Sequence, residues 1–306
     1  MNNISKKQLI VIEGPTASGK TALGIELAKR LQTIIISADS RQFYKELSIG
    51  TAKPSMKEQA GIQHYFIDSH FLEEEITSAR YAKEVLVVLE NEFQNHDSII
   101  MVGGSGMFID AVCIGLDEIP KSDELKKAIT LQWETEGLES LLLELKEKDI
   151  DFYNEVDRDN PMRIIRAIEA IRLTDEPFSK LRNQKKKELP FEVKRFVINH
   201  PREILYDRIN HRVDLMLEQG LLEEVKSVLH LKHLSTLKTV GYSELFQFLD
   251  GNVSYQNAVD LIKQNTRRYA KRQLTWFRKH PEAVWIDFSS TVEMTNKVES
   301  FLDFRC

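Results

Sequence analysis

The sequence predicts an α/β fold in which an open parallel sheet is interrupted by a helical segment. Three observations carry this. Short β-branched runs alternate with helical patterns up to about Gly115. The first run leads into a glycine-bounded loop that opens a helix. The strand pattern returns near Phe191 after a stretch of purely helical character.

The elements follow in order. Leu9 to Ile12 is a short buried strand, and the loop from Gly14 to Thr21 comes next. Leu23, Leu27 and Leu31 recur at helical spacing. Thr33 to Ser37 is a second strand ending in Ala38-Asp39-Ser40, before a polar loop with Gly50, Lys53 and Pro54. Ser78 to His96 is helical, with Ala82, Val85 and Leu89 on one face. Ser98 to Val102 is a third strand, ending in Gly103-Gly104-Ser105-Gly106. From Ser122 to about Glu188 the pattern is helical. Asn160 caps a helix with Pro161 at its first position, and Lys180 to Lys187 is a basic solvated loop. Phe191 to Asn199 resumes as a strand. Pro201 opens a helix that stops near Gly220. Ser254 caps a helix to about Lys279, roughly 37 Å long at about 1.5 Å per residue. Ala283 to Phe288 is the last strand. The expected division is a core of 1–116 and 190–306 with a helical insertion of 117–189.

Composition narrows the function classes. The chain has 306 residues, 42% hydrophobic and 29% charged, as ordinary globular proteins do. Cys113 and Cys306 are its only cysteines, which excludes a disulfide framework and a multi-cysteine zinc module and fits a reducing cytoplasm. His230 and His233 lack companions for a metal site. There is no apolar run of about 18 residues, so no membrane span is expected. The polar start, Met1 to Gln8, predicts no signal peptide. The net charge of −5 excludes a generally basic coat, so any polyanion must meet local basic patches. One such patch is Lys263 to Lys279, with seven cations and no acid. Its interleaved aromatics, Tyr269, Trp276 and Phe277, are either core residues or faces for base stacking.

Gly14-Pro15-Thr16-Ala17-Ser18-Gly19-Lys20-Thr21 matches the phosphate-loop pattern G-x-x-x-x-G-K-[ST], with a strand before it and a helix after it. Glycines let successive backbone N–H groups surround an anion, and the helix start adds its positive end. Lys20 adds a charge, and the Thr21 hydroxyl can reach a metal such as Mg²⁺. The usual NTPase carboxylate at the end of a further strand is absent at Gly103-Gly104. Asp39 supplies one at the end of the second strand instead. That counts against a standard ATPase or kinase, although a P-loop small-molecule kinase stays as the alternative. A non-catalytic RNA-binding module is a third reading.

These residues resemble the tRNA dimethylallyltransferases (tRNA isopentenyltransferases). The matches are GPTASGKT at 14–21, Asp39-Ser40-Arg41-Gln42, IGTAKP at 49–54, VGGSG at 102–106 and Asn160-Pro161 with Arg163 and Arg166. They continue with PRE at 201–203, Arg208 and Arg212, VGY at 240–242 and AKRQLTWFRK at 270–279. The resemblance implies a P-loop NTPase-like core with a helical, tRNA-binding insertion. It implies transfer of a dimethylallyl group from dimethylallyl diphosphate to N6 of adenosine 37 of tRNA, beside the anticodon, with Mg²⁺ as cofactor. By the same resemblance Gly14 to Thr21 and Arg212 hold the diphosphate, and Thr21 holds the metal. Asp39 is the catalytic acidic residue, assisted by Lys20, Thr21 and Arg212. Asp39, Ser40, Arg41, Gln42 and Ser105 meet the tRNA, as do Met162, Arg163, Ile164, Ile165 and Arg166, and Lys271, Arg272 and Arg278. Ser105 stands where the family usually has Thr, Phe108 where it has Tyr, and Ile150 where it commonly has Pro. A monomer acting in the cytoplasm is expected.

Overall fold

The computed structural model describes residues 7–117, 119–182 and 188–302. The start of the chain, part of the basic loop (183–187) and Cys306 lie outside the described residues. Strand β1 is Gln8–Glu13, followed by α1 Lys20–Leu31, β2 Ile35–Ala38, α2 Met56–Gln59, β3 His64–Tyr65, α3 Ser78–Glu92, β4 Ser98–Gly103 and α4 Gly106–Cys113. Helices α5 Asp123–Glu136, α6 Leu138–Lys148, α7 Ile150–Glu155, α8 Pro161–Thr174 and α9 Phe178–Leu181 come next. The sheet resumes with β5 Glu192–Asn199, then α10 Arg202–Glu218, α11 Leu221–Ser227, α12 Tyr242–Leu249, α13 Tyr255–Phe277, β6 Val284–Asp287 and α14 Thr291–Glu299.

The six strands are all parallel, in the order β3-β2-β4-β1-β5-β6. The chain leaves β1 toward β2 on one side and leaves β4 toward β5 on the other. The carboxyl ends of β1 and β4 therefore flank the crevice where such sheets bind ligands. Every residue of β1 is buried, as a strand covered on both faces requires. Period-two alternation sorts β5: Phe196 and Ile198 pack with Leu23 and Leu27 of α1 and Met294 and Val298 of α14. Val197 faces Phe277, at the end of α13. A Cβ on Gly24 would lie 2.4 Å from Val102, so glycine lets α1 sit close on β4.

The chain separates into two compact units, Met1–Cys113 with Leu189–Cys306, and Ile114–Glu188. Among its described residues the second unit is helical throughout, around a core that includes Ile129, Leu141, Leu145, Phe152 and Ile168. The Asn160 side chain accepts from Arg163 N at 3.3 Å, with Pro161 following as the first helical residue. Asp149 caps α7 and also holds Ser179 beside α9, its Oδ2 accepting from Ser179 N at 2.7 Å. Ile150 begins α7, a position that proline also suits.

The loop expected after Ala38 contains β3, a two-residue strand too short to leave a pattern in sequence. Helices α2, α11, α12 and α14 are additions to the elements expected from sequence.

A buried ion network stands behind the phosphate loop. Glu13, the last residue of β1, accepts from Arg195 Nε at 2.5 Å. Arg195 Nη1 donates to Asp110 Oδ1 at 2.8 Å, and Asp110 Oδ2 accepts from Trp276 Nε1 at 2.7 Å. Glu13 has no exposed surface and Arg195 little. Removing one partner of a buried pair leaves an uncompensated charge. Glu13→Ala is therefore expected to lose about 3–5 kcal/mol, read as a lower urea midpoint; an unchanged midpoint would contradict the assignment.

Candidate active site

The phosphate loop takes its shape from local backbone chemistry. Gly19 sits at φ 92°, which favours glycine, and caps α1. A Cβ on Gly14 would lie 2.6 Å from Ser18 Oγ, so the loop closes only over glycine there. Three groups brace it from outside. Arg208 Nε donates to Ala17 O at 2.8 Å. The His200 imidazole meets Ser18 O through Nε2 at 2.9 Å while stacking on Phe288, with ring centroids 4.2 Å apart. Thr16 N donates to Gln273 Oε1 at 3.0 Å, and Gln273 Nε2 donates to Gly104 O at 2.8 Å. Gln273, buried on α13, thus ties the phosphate loop to the end of β4. Its place in the AKRQLTWFRK segment is its one signal in sequence, where the neighbouring cations and aromatics mask it.

A cleft of about 620 Å³, partly open to solvent, runs from this loop across the sheet ends. Thr16, Lys20, Thr21, Asp39, Gln42 and Arg212 all line it, so the ends of β1 and β2 and helix α10 bring together these six of the residues expected from sequence. Ile35, Ile67, Val102 and Pro54 give it an apolar side. Lys20 Nζ donates to Pro15 O at 3.3 Å, and Arg212 Nη1 points at Thr16 Oγ1 at 3.5 Å. Burial pushes the Lys20 ammonium down to about 8, with Asp39 pulling it up and Arg212 adding to the lowering. Burial also lowers Arg212, which remains cationic because a guanidinium does not deprotonate in proteins. Two cations are thus held together without a full set of counter-charges, as an anion site requires.

Asp39 follows β2 directly, and its Oδ1 accepts from Arg41 N at 3.1 Å. Ser105 Oγ accepts from Ser40 N at 3.0 Å and donates to Ser40 Oγ at 3.2 Å, locking the turn after β2 to the turn after β4. Gln42 is committed internally. Its Oε1 accepts from Ser37 Oγ at 3.2 Å, and its Nε2 donates to Thr51 O at 3.2 Å and Ala52 O at 3.3 Å. The IGTAKP segment is held by Glu224, whose carboxylate accepts from Ser48 N, Ile49 N and Gly50 N at 2.9, 2.7 and 2.9 Å. Tyr242 of the VGY motif donates to that same carboxylate.

The three aromatics of α13 divide. Phe277 is core, and Trp276 packs so closely on Gly106 that a Cβ there would lie 2.2 Å from its ring. Tyr269 lines the cleft with 37% of its surface exposed. Burial of its phenol, and then Asp39, push its pKa up to about 12, against the pull of Arg41 and a hydrogen bond with Ser105. Phe108 packs against Phe43 and Tyr81, with centroids 5.7 and 5.4 Å away.

In the helical unit, Met162 and Arg163 are exposed. Ile164 and Ile165, expected from the sequence to meet tRNA, have no exposed surface and belong to the core of that unit. The helix period turns them inward, so the expectation is corrected for both. Arg166 is a strut: its guanidinium donates to Ile119 O and Pro120 O, each at 2.8 Å, and pairs with the buried Glu169. On α13, Lys263 pairs with Asp214, and Arg267 donates to Asn210 Oδ1 at 2.6 Å. Arg268, Lys271, Arg272, Arg278 and Lys279 remain exposed.

Among the described residues no group of three or more His, Cys, Asp or Glu side chains could hold a metal by itself. The cleft instead offers the Thr21 hydroxyl beside the anion site. That donor set suits a hard cation such as Mg²⁺, which takes most of its ligands from substrate phosphates and water.

The family model described as IPP transferase matches residues 42–280. The tRNA dimethylallyltransferase of Cytophaga hutchinsonii is 46% identical over 297 residues, covering 97% of this chain and 98% of that protein. The crystal structure of the full-length tRNA isopentenylpyrophosphate transferase from Bacillus halodurans superposes with a TM-score of 0.71 at 32% identity, covering 96% of this chain and 95% of that one. A eukaryotic dimethylallyltransferase acting on tRNA gives a TM-score of 0.78 at 25% identity, covering 92% and 74%. Fold, sequence and the contents of the cleft agree: the chain belongs to the IPP transferase family, that of the tRNA dimethylallyltransferases.

Proposed function

We propose that this chain transfers a dimethylallyl group from dimethylallyl diphosphate to N6 of adenosine 37 in tRNA, next to the anticodon, releasing diphosphate. One observation carries the reading. A carboxylate, Asp39, and an anion cradle with two half-buried cations, Lys20 and Arg212, line one cleft that also has an apolar side. That combination matches a donor with a charged leaving group and a greasy tail, facing a nitrogen nucleophile.

The steps follow from the residues. Loop N–H groups, Lys20 and Arg212 hold the diphosphate. Negative charge grows on it as the allylic C–O bond breaks, so these donors favour the transition state over the ground state. A divalent metal at Thr21 would supply further charge neutralisation there. The acceptor base is normally stacked in the anticodon loop and has to be flipped out to reach the cleft. Asp39 orients the amine and takes its proton once the N–C bond has begun to form and the nitrogen turns acidic. Tyr269 and the Ser40–Ser105 pair sit beside Asp39 and shape the acceptor's place.

The kinase alternative is not supported. It needs a carboxylate at the end of β4, where Gly103 and Gly104 stand, and the relatives are named for prenyl transfer. Dimethylallyl diphosphate is expected to protect the protein from thermal unfolding where ATP does not; protection by ATP alone would contradict the reading.

Arg268, Lys271, Arg272 and Arg278, exposed along α13, suit phosphate contacts with the tRNA. Replacing Arg268, Lys271 and Arg272 together by Ala is expected to weaken binding. It should also flatten the plot of log affinity against log salt, by about 2 for three lost phosphate contacts. An unchanged slope would remove this face from the interface. Among the described residues no helix is long and apolar enough to cross a membrane, and a tRNA-modifying role fits the cytoplasm.

A further inference from the structure

Gln273 is a buried amide with both ends committed. It is only 6% exposed, yet it lines the cleft. Its Oε1 accepts from Thr16 N at 3.0 Å, and its Nε2 donates to Gly104 O at 2.8 Å. A backbone N–H can only donate and a carbonyl can only accept, so this orientation of the amide is the one that satisfies both. Glycine keeps clear the space that the amide fills. A Cβ on Gly104 would lie 2.3 Å from Gln273 Nε2.

The bond to Thr16 fixes more than one atom. The Pro15–Thr16 peptide is trans, so its N–H and C=O point in opposite directions. With Thr16 N held by Gln273, the Pro15 carbonyl turns the other way, where it accepts from Ser18 N at 3.2 Å and from Lys20 Nζ at 3.3 Å. Thr16 in turn presents its Oγ1 to Arg212 Nη1. The outer braces Arg208 and His200 hold carbonyls further along the loop, those of Ala17 and Ser18. The start of the loop is held by Gln273.

We infer that Gln273 is a positioning residue of the donor site: it holds Thr16, and through Thr16 and Pro15 the contacts of Arg212 and Lys20, in the arrangement that grips the diphosphate. This rests on the prenyl-transfer reading above and adds a residue to the same site. Gln273 acts through Thr16 rather than on the reacting atoms. An anion cradle gains from such a brace because its donors are already aimed when charge develops on the leaving group. The neighbours Lys271 and Arg272 are exposed while Gln273 is buried, so the basic face of α13 survives a change at Gln273.

The test is a set of initial rates with the full chain and Mg²⁺, varying dimethylallyl diphosphate and an anticodon stem-loop in turn. Gln273→Ala removes both bonds. It is expected to raise KM for the donor about tenfold, the worth of about 1.4 kcal/mol, and to leave KM for the stem-loop within about twofold of wild type. Gly104→Ala reaches the same contact from the other side. Gly104 is not among the residues with positive φ, so its backbone accepts alanine, and the added Cβ displaces the amide. The donor KM should rise by a similar factor. The two substitutions together should cost no more than Gln273→Ala alone, because the methyl then enters space the amide has left. A donor KM that stays at the wild-type value in either single variant overturns the inference. So does a stem-loop KM that rises as steeply as the donor's, the mark of a general loss of structure, and so do costs that add in the double variant. If Gln273→Ala does not fold, Gly104→Ala decides alone. A wild type that prenylates RNA, matched by its variants, sinks this inference and leaves the prenyl-transfer reading standing; a wild type that prenylates nothing sinks both.

Discussion

Asp39→Ala is expected to lower prenyl transfer by about 10²- to 10⁴-fold, the usual worth of a positioned proton acceptor, while tRNA affinity changes little. The asymmetry follows from where the carboxylate stands. Asp39 follows β2 and lines the cleft, and its carboxylate accepts from the backbone N–H of Arg41. Its loss leaves the sheet, the phosphate loop and the basic face of α13 in place. A carboxylate is too weak a base to strip a neutral adenine amine beforehand. The loss therefore falls on the step in which the nitrogen becomes positive. Asp39→Asn keeps the shape and a hydrogen bond but not the basicity, and should be nearly as impaired. Single-turnover rates alongside a stem-loop binding curve separate the two quantities. Near-normal turnover by either variant would remove Asp39 from the mechanism.

Lys20→Met is expected to cut transfer by about 10²- to 10³-fold, as loss of a preorganised group that stabilises developing charge does. The same substitution should make the protein more stable at pH 7. Burial holds the Lys20 pKa at about 8 in the folded chain, against 10.5 ordinarily. Below about pH 8 the fold therefore carries the full burden of a buried ammonium. Between about 8 and 10.5 the unfolded chain binds more protons than the folded one, so this group's contribution to stability rises with pH across that window. Donor capture runs the opposite way. Deprotonation removes a cation from the anion site, so kcat/KM for the donor should fall as pH rises through about 8. Bound diphosphate restores the charge, which leaves kcat flatter. In Lys20→Met both the inflection and the buried charge disappear. A melting temperature that drops in this variant, or a kcat/KM profile that keeps its inflection near pH 8, would contradict the account.

Much of this was legible in the sequence because the informative residues sit in local patterns. The β-branched runs became β1, β2 and β4, the returning run near Phe191 became β5, and Asn160 with Pro161 marked a helix start that the structure keeps. The phosphate loop and Asp39 were readable for the same reason: each follows a strand, and both strands end at one edge of a parallel sheet. What escaped depends on contacts far apart in the chain. Gln273 reaches Thr16 across 257 positions, and Glu224 holds Ser48 to Gly50 from about 175 positions away. No spacing rule announces such partners. The division of Tyr269, Trp276 and Phe277 into cleft and core was also hidden, because three aromatics on one helix look alike until the neighbours of each face are known. Ile164 and Ile165 show the converse error. A segment-wide resemblance carried roles onto residues that the helix period points into the core, when their chemistry alone already argued for burial.

The most direct measurement of the central claim is the mass of an anticodon stem-loop incubated with the chain, Mg²⁺ and dimethylallyl diphosphate. The account predicts that the RNA gains one five-carbon prenyl unit on the adenosine 3′ of the anticodon and that diphosphate appears in equal amount. RNA of unchanged mass, from a preparation that instead transfers or hydrolyses the γ-phosphate of ATP, would contradict it.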